Sequence, residues 1–306
     1  MIIKIKNKAS ILFFLIYLSI QVNSQFYTNN LSQFYNNYEV LNPSFIGSHE
    51  VFYISLIHRN QWIGFEGSPT YNLININWLM KNYQSGIGFS FMNVNIGSHK
   101  LNQLYLNYSF RIKADETFIA WGIKGGLMNG NYYDIPETDD PVFRDKRIGY
   151  LLPNFGLGMG IYAEKYYAGI SIPEIFTVKL NNENKFILFN NPKYYYYSFL
   201  AGYKICVNNI VSFVPSCLFM YNKIFSLDFN IGTNFNYKNF FSAGVYYSYK
   251  KSINTVFLIK MNYQAMIGLS YDYLIGKLSD YMKGSIEFIL SYQFKYKVNV
   301  SNPLKF

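Results

Sequence analysis

The sequence predicts an all-β protein, a transmembrane antiparallel β-barrel of about fourteen strands that follows an N-terminal signal peptide. The first observation is a period-two alternation of apolar and polar residues in segments about ten residues long. Residues 103–112 show it clearly, with one face formed by Leu104, Leu106, Tyr108, Phe110 and Ile112 and the other by Gln103, Tyr105, Asn107, Ser109 and Arg111. Residues 285–294 repeat the pattern. Because neighbouring side chains of a strand point to opposite faces, each segment has one apolar and one more polar side.

The second observation is the composition. Hydrophobic residues make up 50% of the chain and charged residues only 14%, whereas soluble domains have about 25% charged residues. Aromatic residues reach 20%, with 31 Tyr and 28 Phe. A barrel explains these values, since its outer face is apolar and its membrane borders carry aromatic girdles. AT-rich codon usage also raises the number of Tyr and Phe residues, but it does not arrange them in alternation.

The third observation is the N-terminus, which has the layout of a secretory signal. Lys4, Lys6 and Lys8 precede an apolar run over residues 10–20 and small residues near position 24. The run is too short to span a bilayer as a helix. We expect a signal peptide at 1–24, a polar lead segment at 25–50, a barrel at 51–294 and a C-terminal tail at 295–306. The lead segment is expected to be a periplasmic extension, a plug inside the barrel or partly disordered.

The alternation and the turn residues together predict each strand in order. The expected strands cover residues 51–58, 70–79, 85–94, 102–112, 116–128, 153–163, 166–172, 194–205, 210–221, 223–232, 239–249, 253–262, 264–273 and 284–294. The long connections are 59–69, 129–152, 173–193 and 274–283, and all are odd-numbered. Outer-membrane barrels have short periplasmic turns and longer external loops. The odd-numbered connections are therefore expected to face outward.

A search for catalytic or metal-binding residues is mostly negative. His49, His58 and His99 are the three histidines, and they lack triad or metal-ligand spacing. The acidic loop at 129–152 lacks a calcium-binding pattern and carries cations beside its acids, so we interpret it as a solvated loop. We expect no enzyme activity, no cofactor and no metal. A membrane hydrolase that uses His58 near the end of a strand stays a minor alternative.

The net charge of +10 does not indicate nucleic-acid binding, because the lysines are scattered over turns without a basic stripe. Contact with anionic outer-membrane lipid is the better interpretation. Cys206 and Cys217 are expected to be free thiols, since the predicted hairpin would place Cys217 opposite Phe199. Several glycines lie within predicted strands, where they ease curvature or leave room for a segment inside the barrel.

The most distinctive local sequence lies between residues 42 and 70. It begins with Asn42-Pro43-Ser44-Phe45-Ile46-Gly47 and continues with Arg59-Asn60-Gln61-Trp62-Ile63-Gly64-Phe65-Glu66-Gly67-Ser68-Pro69-Thr70. The glycines permit tight turns, and Arg59, Gln61 and Trp62 are residue types enriched in recognition surfaces. We expect this cluster at the rim of the barrel, as a partner-binding surface or as a corner that seats the first hairpin.

These residues resemble the PorP/SprF family of Bacteroidetes outer-membrane proteins. The family pattern is a Q-F/Y lead, then N-P-A-Y-A-G, then R-x-Q-W-x-G-x-x-G-A-P-x-T. The likeness extends over nearly the whole mature chain, including residues 86–89, 108–112, 140–143, 153–158, 168–173, 268–273 and 284–287. Ser44 and Ile46 replace the usual Ala, and Ile286 replaces the usual His.

The resemblance implies a non-enzymatic barrel of the type IX secretion and gliding motility machinery. Such a barrel would support export or surface attachment of an adhesin-like secreted cargo, recognised through its C-terminal signal domain, or would bind other secretion-machinery subunits. The resemblance also implies that the residues of the family motif bind the partner. These residues are Asn42, Pro43, Gly47, Arg59, Gln61, Trp62, Gly64, Gly67, Pro69 and Thr70. The alternative is a general porin or a small-solute outer-membrane transporter.

Overall fold

The structure, a computed structural model, describes residues 31–133, 147–180, 186–223, 226–238, 240–275, 279–280 and 282–294. The predicted signal peptide, the first residues of the lead segment, most of the acidic loop and the C-terminal tail lie outside these ranges. In the described part of the chain, no helix is both long enough and apolar enough to cross a membrane.

The described residues form mostly β-strands. In chain order the strands are β1 (Phe52–Asn60), β2 (Thr70–Leu79), β3 (Ser85–Ile96), β4 (His99–Ala114), β5 (Thr117–Tyr133), β6 (Arg147–Tyr162), β7 (Tyr166–Ile172), β8 (Thr177–Leu180), β9 (Phe186–Phe189), β10 (Tyr197–Tyr203), β11 (Ile205–Cys206), β12 (Val211–Asn222), β13 (Ser226–Tyr237), β14 (Phe241–Ser248), β15 (Ser252–Lys260), β16 (Ala265–Leu274) and β17 (Ser285–Phe294). Short helices cover Phe34–Asn36, Tyr38–Leu41, Pro43–Phe45 and Pro192–Tyr194.

Antiparallel pairing joins these strands into a closed barrel with a wall of 14 strands, which confirms the predicted fold class. Strand β1 pairs with β17, and β10 pairs with both β7 and β12. The short strand β11 continues the line of β10 along β12. Closure pairs the backbone groups of every wall strand with neighbours on both sides, which is what a bilayer without hydrogen-bonding solvent requires.

The alternation seen in the sequence separates the lumen from the membrane. Along β4, the side chains of Gln103, Asn107 and Ser109 are buried inside the barrel, whereas Leu106 is 66% exposed on the outside. Strand β17 repeats this arrangement, with Glu287 fully buried and Phe288 exposed. The polar face therefore lines the lumen, and the apolar face is turned to lipid.

Three details differ from the sequence-based expectation. Strands β5 and β6 are longer than predicted and extend beyond the wall at one end. The connection between β7 and β10 contains a separate hairpin, β8–β9. These two strands are too short for the alternation to reveal them. Cys217 pairs with Ala201 rather than Phe199, and the prediction of two free thiols is confirmed.

The long connections lie at one end of the barrel, together with the extended parts of β5 and β6. Connections at the other end are short, such as residues 115–116 between β4 and β5 and 163–165 between β6 and β7. Because periplasmic turns are the short ones in such barrels, we assign the end with long connections as the outer end.

Candidate functional site

Residues 31–50, hereafter the lumen segment, lie inside the barrel. All of them are buried except Asn36 and Glu50, which are half-buried. The segment contacts separate parts of the wall: the Ser171 hydroxyl on β7 donates to Leu41 O at 2.8 Å, and the Phe34 ring packs edge to face against the Tyr246 ring on β14 at 5.5 Å. The lead segment was expected to be a periplasmic extension, a plug inside the barrel or partly disordered. For residues 31–50, these contacts are those of a plug.

Asn42 positions the middle of the lumen segment. Its side-chain oxygen accepts hydrogen bonds from the Ser44 amide at 3.0 Å and the Ser44 hydroxyl at 2.7 Å, which caps the helical turn that Pro43 begins. Asn and Ser favour helix starts, and Pro suits the first helical position. The Asn42 amide nitrogen donates to Met159 O at 3.0 Å and to Ile170 O at 3.1 Å. One side chain therefore caps the turn and attaches it to two neighbouring wall strands.

A patch of glycines on the inner wall makes room for this turn. A methyl group on Gly122 would lie 2.2 Å from the Pro43 carbonyl carbon, and one on Gly158 would lie 2.0 Å from the Asn42 side-chain oxygen. The patch consists of Gly86, Gly88, Gly122, Gly158, Gly160 and Gly169. Any larger residue would fill the space that the segment occupies, so glycine serves here for close backbone approach.

Gly47 ends this part of the lumen segment. Its φ of +76° is a left-handed conformation, and an added Cβ would lie 3.0 Å from the Gly86 Cα atom. Its amide donates to the Asn77 side-chain oxygen at 3.3 Å. Both the conformation and the space at this position favour glycine.

A buried ionic cluster holds the beginning of the lumen segment. The Arg59 guanidinium donates to Asp272 at 2.6 Å and to Glu287 at 3.3 Å. The Ser32 hydroxyl donates to Asp272 at 2.7 Å and itself accepts from Arg59, and the Ser32 amide donates to Glu287 at 2.8 Å. The Gln33 amide adds a bond to Glu287 at 3.0 Å. The cluster therefore connects the segment to β1, β16 and β17 near the outer end.

The expected rim position of Arg59 is wrong, because its side chain is 4% exposed and points into the lumen. Residues 53, 55, 57 and 59 share the inward face of β1. The alternate residues Phe52, Ile54 and Leu56 are apolar, so this alternation could have revealed that Arg59 points inward. Asn42, Pro43 and Gly47, which belong to the lead segment, also lie inside the barrel. Sequence analysis missed Ser32, Asp272 and Glu287, although charged residues at inward positions of strands were a usable signal.

The remaining motif residues are at the outer end. The Gln61 side chain is buried and accepts from the Tyr71 hydroxyl at 3.2 Å, and the Gln61 amide donates to Pro69 O at 2.9 Å. Pro69 is buried at the end of this connection, and Thr70 begins β2. The loop at residues 61–69, hereafter the rim loop, therefore closes on itself.

Trp62 is half-buried on the rim loop and has a left-handed φ of +55°. Its amide donates to the Ser285 hydroxyl at 3.2 Å, and the next amide, of Ile63, donates to Gly284 O at 2.8 Å. Gly64 and Gly67 are exposed with φ of +88° and +73°. The rim loop is thus built from tight turns and is attached to the start of β17.

Two further polar groups fill the lumen. Glu39 accepts from the Asn75 amide at 2.9 Å, and the imidazole of His49 lies 3.8 Å from the same carboxylate. Near the outer mouth, the Gln103 amide donates to Glu174 at 2.9 Å. Asn154 donates to Phe176 O at 3.0 Å, so residues 173–176 fold into the outer mouth.

One cavity lies between the lumen segment and the inner wall. This cavity, near the periplasmic end and lined by Tyr35, Asn236, Phe240 and Lys260 among others, has a volume of about 50 Å³, which is room for water-sized molecules. Burial, with the nearby Glu287 carboxylate, raises the pKa of the Tyr35 hydroxyl well above its usual value, so this group stays neutral. Within the described ranges, no group of three or more His, Cys, Asp or Glu side chains is placed to hold a metal ion.

The closed wall, the polar lumen and the apolar exterior define a bacterial outer-membrane β-barrel, and solved structures support this class. The monoaromatic hydrocarbon channel CymD superposes with a TM-score of 0.55 at 12% identity, covering 90% of this chain and 96% of that chain. The toluene transporter TbuX of Ralstonia pickettii gives 0.53 at 8% identity, covering 84% of this chain and 93% of that chain. At these identities the similarity shows the fold alone.

A sequence family specifies which kind of outer-membrane barrel this is. A model of the type IX secretion system membrane protein family PorP/SprF matches residues 23–292. The chain therefore belongs to the PorP/SprF family, which confirms the resemblance. No curated protein matches the chain. Family and fold together identify a secretion-associated outer-membrane barrel, and neither is an enzyme family.

We predict that Gly122→Ala destabilises the barrel, because the new methyl group would overlap the backbone of Pro43 and Ser44 at 2.2 Å. Overpacking of this kind costs about 1–3 kcal/mol or more. Gly125→Ala is the matched control, since its methyl group would meet only the Phe155 ring at 3.2 Å. Equilibrium unfolding followed by heat-modifiable gel mobility measures both variants. Equal stability of the two variants would show that the glycine patch does not seat the lumen segment.

We also predict that Arg59→Ala destabilises the folded barrel by about 3–5 kcal/mol, because it leaves two buried carboxylates without their cation. Lys251→Ala is the control: this lysine pairs with Asp228 at the surface and is 49% exposed, so its loss costs no more than about 1 kcal/mol. Urea unfolding in lipid vesicles gives both values. A stability loss for Arg59→Ala as small as that of the control would contradict the role assigned to the cluster.

Proposed function

We propose that this barrel is a non-enzymatic component of the type IX secretion and gliding motility machinery that supports export or surface attachment of an adhesin-like secreted partner. The observation that carries the proposal is that the chain's own residues 31–50 occupy the lumen and bond to walls on both sides. A barrel filled in this way is suited to binding a partner on its outer surface. Family membership supplies the secretion context.

The rim loop is the surface we assign to the partner. It presents the half-buried Trp62 and Phe65, which is 51% exposed, on a frame of turns fixed by Gly64 and Gly67. Large aromatic side chains on a rigid frame supply much of the binding energy in protein interfaces. Asn42, Pro43, Gly47 and Arg59 then contribute indirectly, by holding the lumen segment and the first hairpin in place. Gln61, Pro69 and Thr70 shape the two ends of the loop.

Deletion of the gene tests the secretion role. We expect the deletion strain to lose one or a few proteins from its surface or medium, and the intact gene to restore them. Quantitative proteomics of the surface and of the medium provides the measurement. An unchanged set of secreted and surface proteins would overturn the proposal.

Trp62→Ala tests the rim loop. In a pull-down from outer membranes, we expect the amount of partner recovered with this variant to fall at least about tenfold. Central aromatic anchors contribute about 2 kcal/mol or more to the free energy of binding. Heat-modifiable mobility should be unchanged. Tyr263→Ala is the control, since Tyr263 is an aromatic residue 88% exposed on a turn at the opposite end. Equal partner recovery from both variants would exclude the rim loop as the partner surface.

A second candidate function is passage of small solutes. It is favoured by the fold shared with two proteins described as a hydrocarbon channel and a toluene transporter. The filled lumen argues against a steady ion pore. We therefore expect the purified protein to be silent in planar bilayers, measured as current at constant voltage. Stable single-channel conductance in the wild-type protein would favour the transport function instead.

A further inference from the structure

A row of polar side chains crosses the outside of the wall, where the barrel otherwise presents apolar residues. His58, Asn72, Asn93 and Asn102 lie side by side on β1, β2, β3 and β4 and all point outward. Their side chains form a continuous chain of hydrogen bonds: His58 to Asn72 at 2.7 Å, Asn72 to Asn93 at 3.4 Å and Asn93 to Asn102 at 2.9 Å. We call these four residues the outer amide ladder.

A second polar row lies above the ladder on the same strands, towards the outer end. It consists of Asn60, Thr70, Asn95 and Lys100. The Asn95 amide donates to Asn93 at 3.0 Å and to Thr70 at 3.4 Å, which joins the two rows. The row directly below the ladder is apolar and consists of Leu56, Ile74, Phe91 and Leu104. The ladder therefore marks the upper border of the apolar belt on these strands.

The apolar belt is narrow on this side of the barrel. On β1 only Phe52, Ile54 and Leu56 face outward below the ladder. For a strand tilted by about 40°, these three residues cover roughly 10 Å of membrane height. On β4 the outward apolar residues run from Leu104 to Ile112, which spans roughly 20 Å by the same geometry. A typical belt is about 25 Å tall. The bilayer must therefore thin beside β1–β3, or a polar partner must cover the ladder.

The narrowing of the apolar belt does not continue from β1 onto its neighbour β17. Phe288 on β17 lies directly opposite His58, and Ile286 lies opposite Asn60. Both are exposed apolar side chains, 42% and 40% accessible. On the other side, Asn129 and Asn131 of β5 lie opposite Asn102 and Lys100 and continue both rows. The border of the apolar belt is therefore lower on β1 than on β17, and this step at β1 forms one edge of a notch in the belt.

We propose that the outer amide ladder binds the phosphorylated sugar head group of the outer-leaflet glycolipid, drawn down along β1–β3. Amide side chains offer both donors and acceptors to sugar hydroxyls. The two rows contain no acidic residue and include the positively charged Lys100, so an anionic head group is complementary. The notch lies at the outer end, where the glycolipid leaflet is located.

Photo-crosslinking in living cells identifies what covers the ladder. A benzophenone amino acid placed at position 93 should give adducts that stain as glycolipid. The control places it at position 253, where Ile253 is 40% exposed near the outer end of β15, across the barrel from β3. A defined protein adduct at position 93, or glycolipid adducts no more frequent than at position 253, would overturn the proposal.

A triple variant tests the chemistry of the ladder. Asn72→Leu, Asn93→Leu and Asn102→Leu together extend the apolar belt and should lower the amount of glycolipid retained per barrel about fivefold, the factor that corresponds to the net contribution of about one hydrogen bond. The control, Ile74→Leu with Phe91→Leu, alters the row below and should retain wild-type amounts. Heat-modifiable mobility checks that both variants fold. Undiminished glycolipid in a folded triple variant would refute the assignment.

Discussion

The contact between the lumen segment and the glycine patch is the constraint on which the rest of this structure depends. Residues 42–46 lie so close to the inner wall that a single methyl group on Gly122 or Gly158 would overlap them. Close packing of backbone against backbone leaves little room for partial detachment. The segment is therefore part of the fold, and the barrel is a filled structure whose inner wall is shaped around its own N-terminal residues.

The buried ionic cluster is a consequence of the same arrangement. Polar residues line the lumen because the outside must be apolar, and a filled lumen removes the water that would otherwise solvate them. Arg59, Asp272 and Glu287 meet this requirement by bonding to one another and to the Ser32 amide and hydroxyl. Because β1 and β17 close the barrel, this cluster also joins the first and last strands to the lumen segment.

Because the interior is filled, both surfaces that we propose to be functional lie on the outside of the barrel. The rim loop connects β1 to β2, and the outer amide ladder runs from these two strands onto β3 and β4. The ionic cluster anchors β1 from within. The rim loop ends directly above the second polar row, since Thr70 belongs to both the motif and that row. A partner at the rim and a lipid head group at the ladder would thus meet on one side of the barrel. The family motif therefore contributes to the interior, to the rim and to the lipid-facing wall.

The sequence by itself determined the barrel, the number of wall strands, the placement of the long loops at one end and the family, because alternation and turn residues are local properties. Parity along β1 also contained the inward direction of Arg59, although its residue type favoured a surface role. Only the tertiary structure decided what each inward residue meets. Arg59 meets Asp272 and Ser32, and Asn42 meets Met159 and Ile170, across more than a hundred residues of chain in most cases. Barrel closure and strand register bring these groups together, and neither can be read from a local pattern.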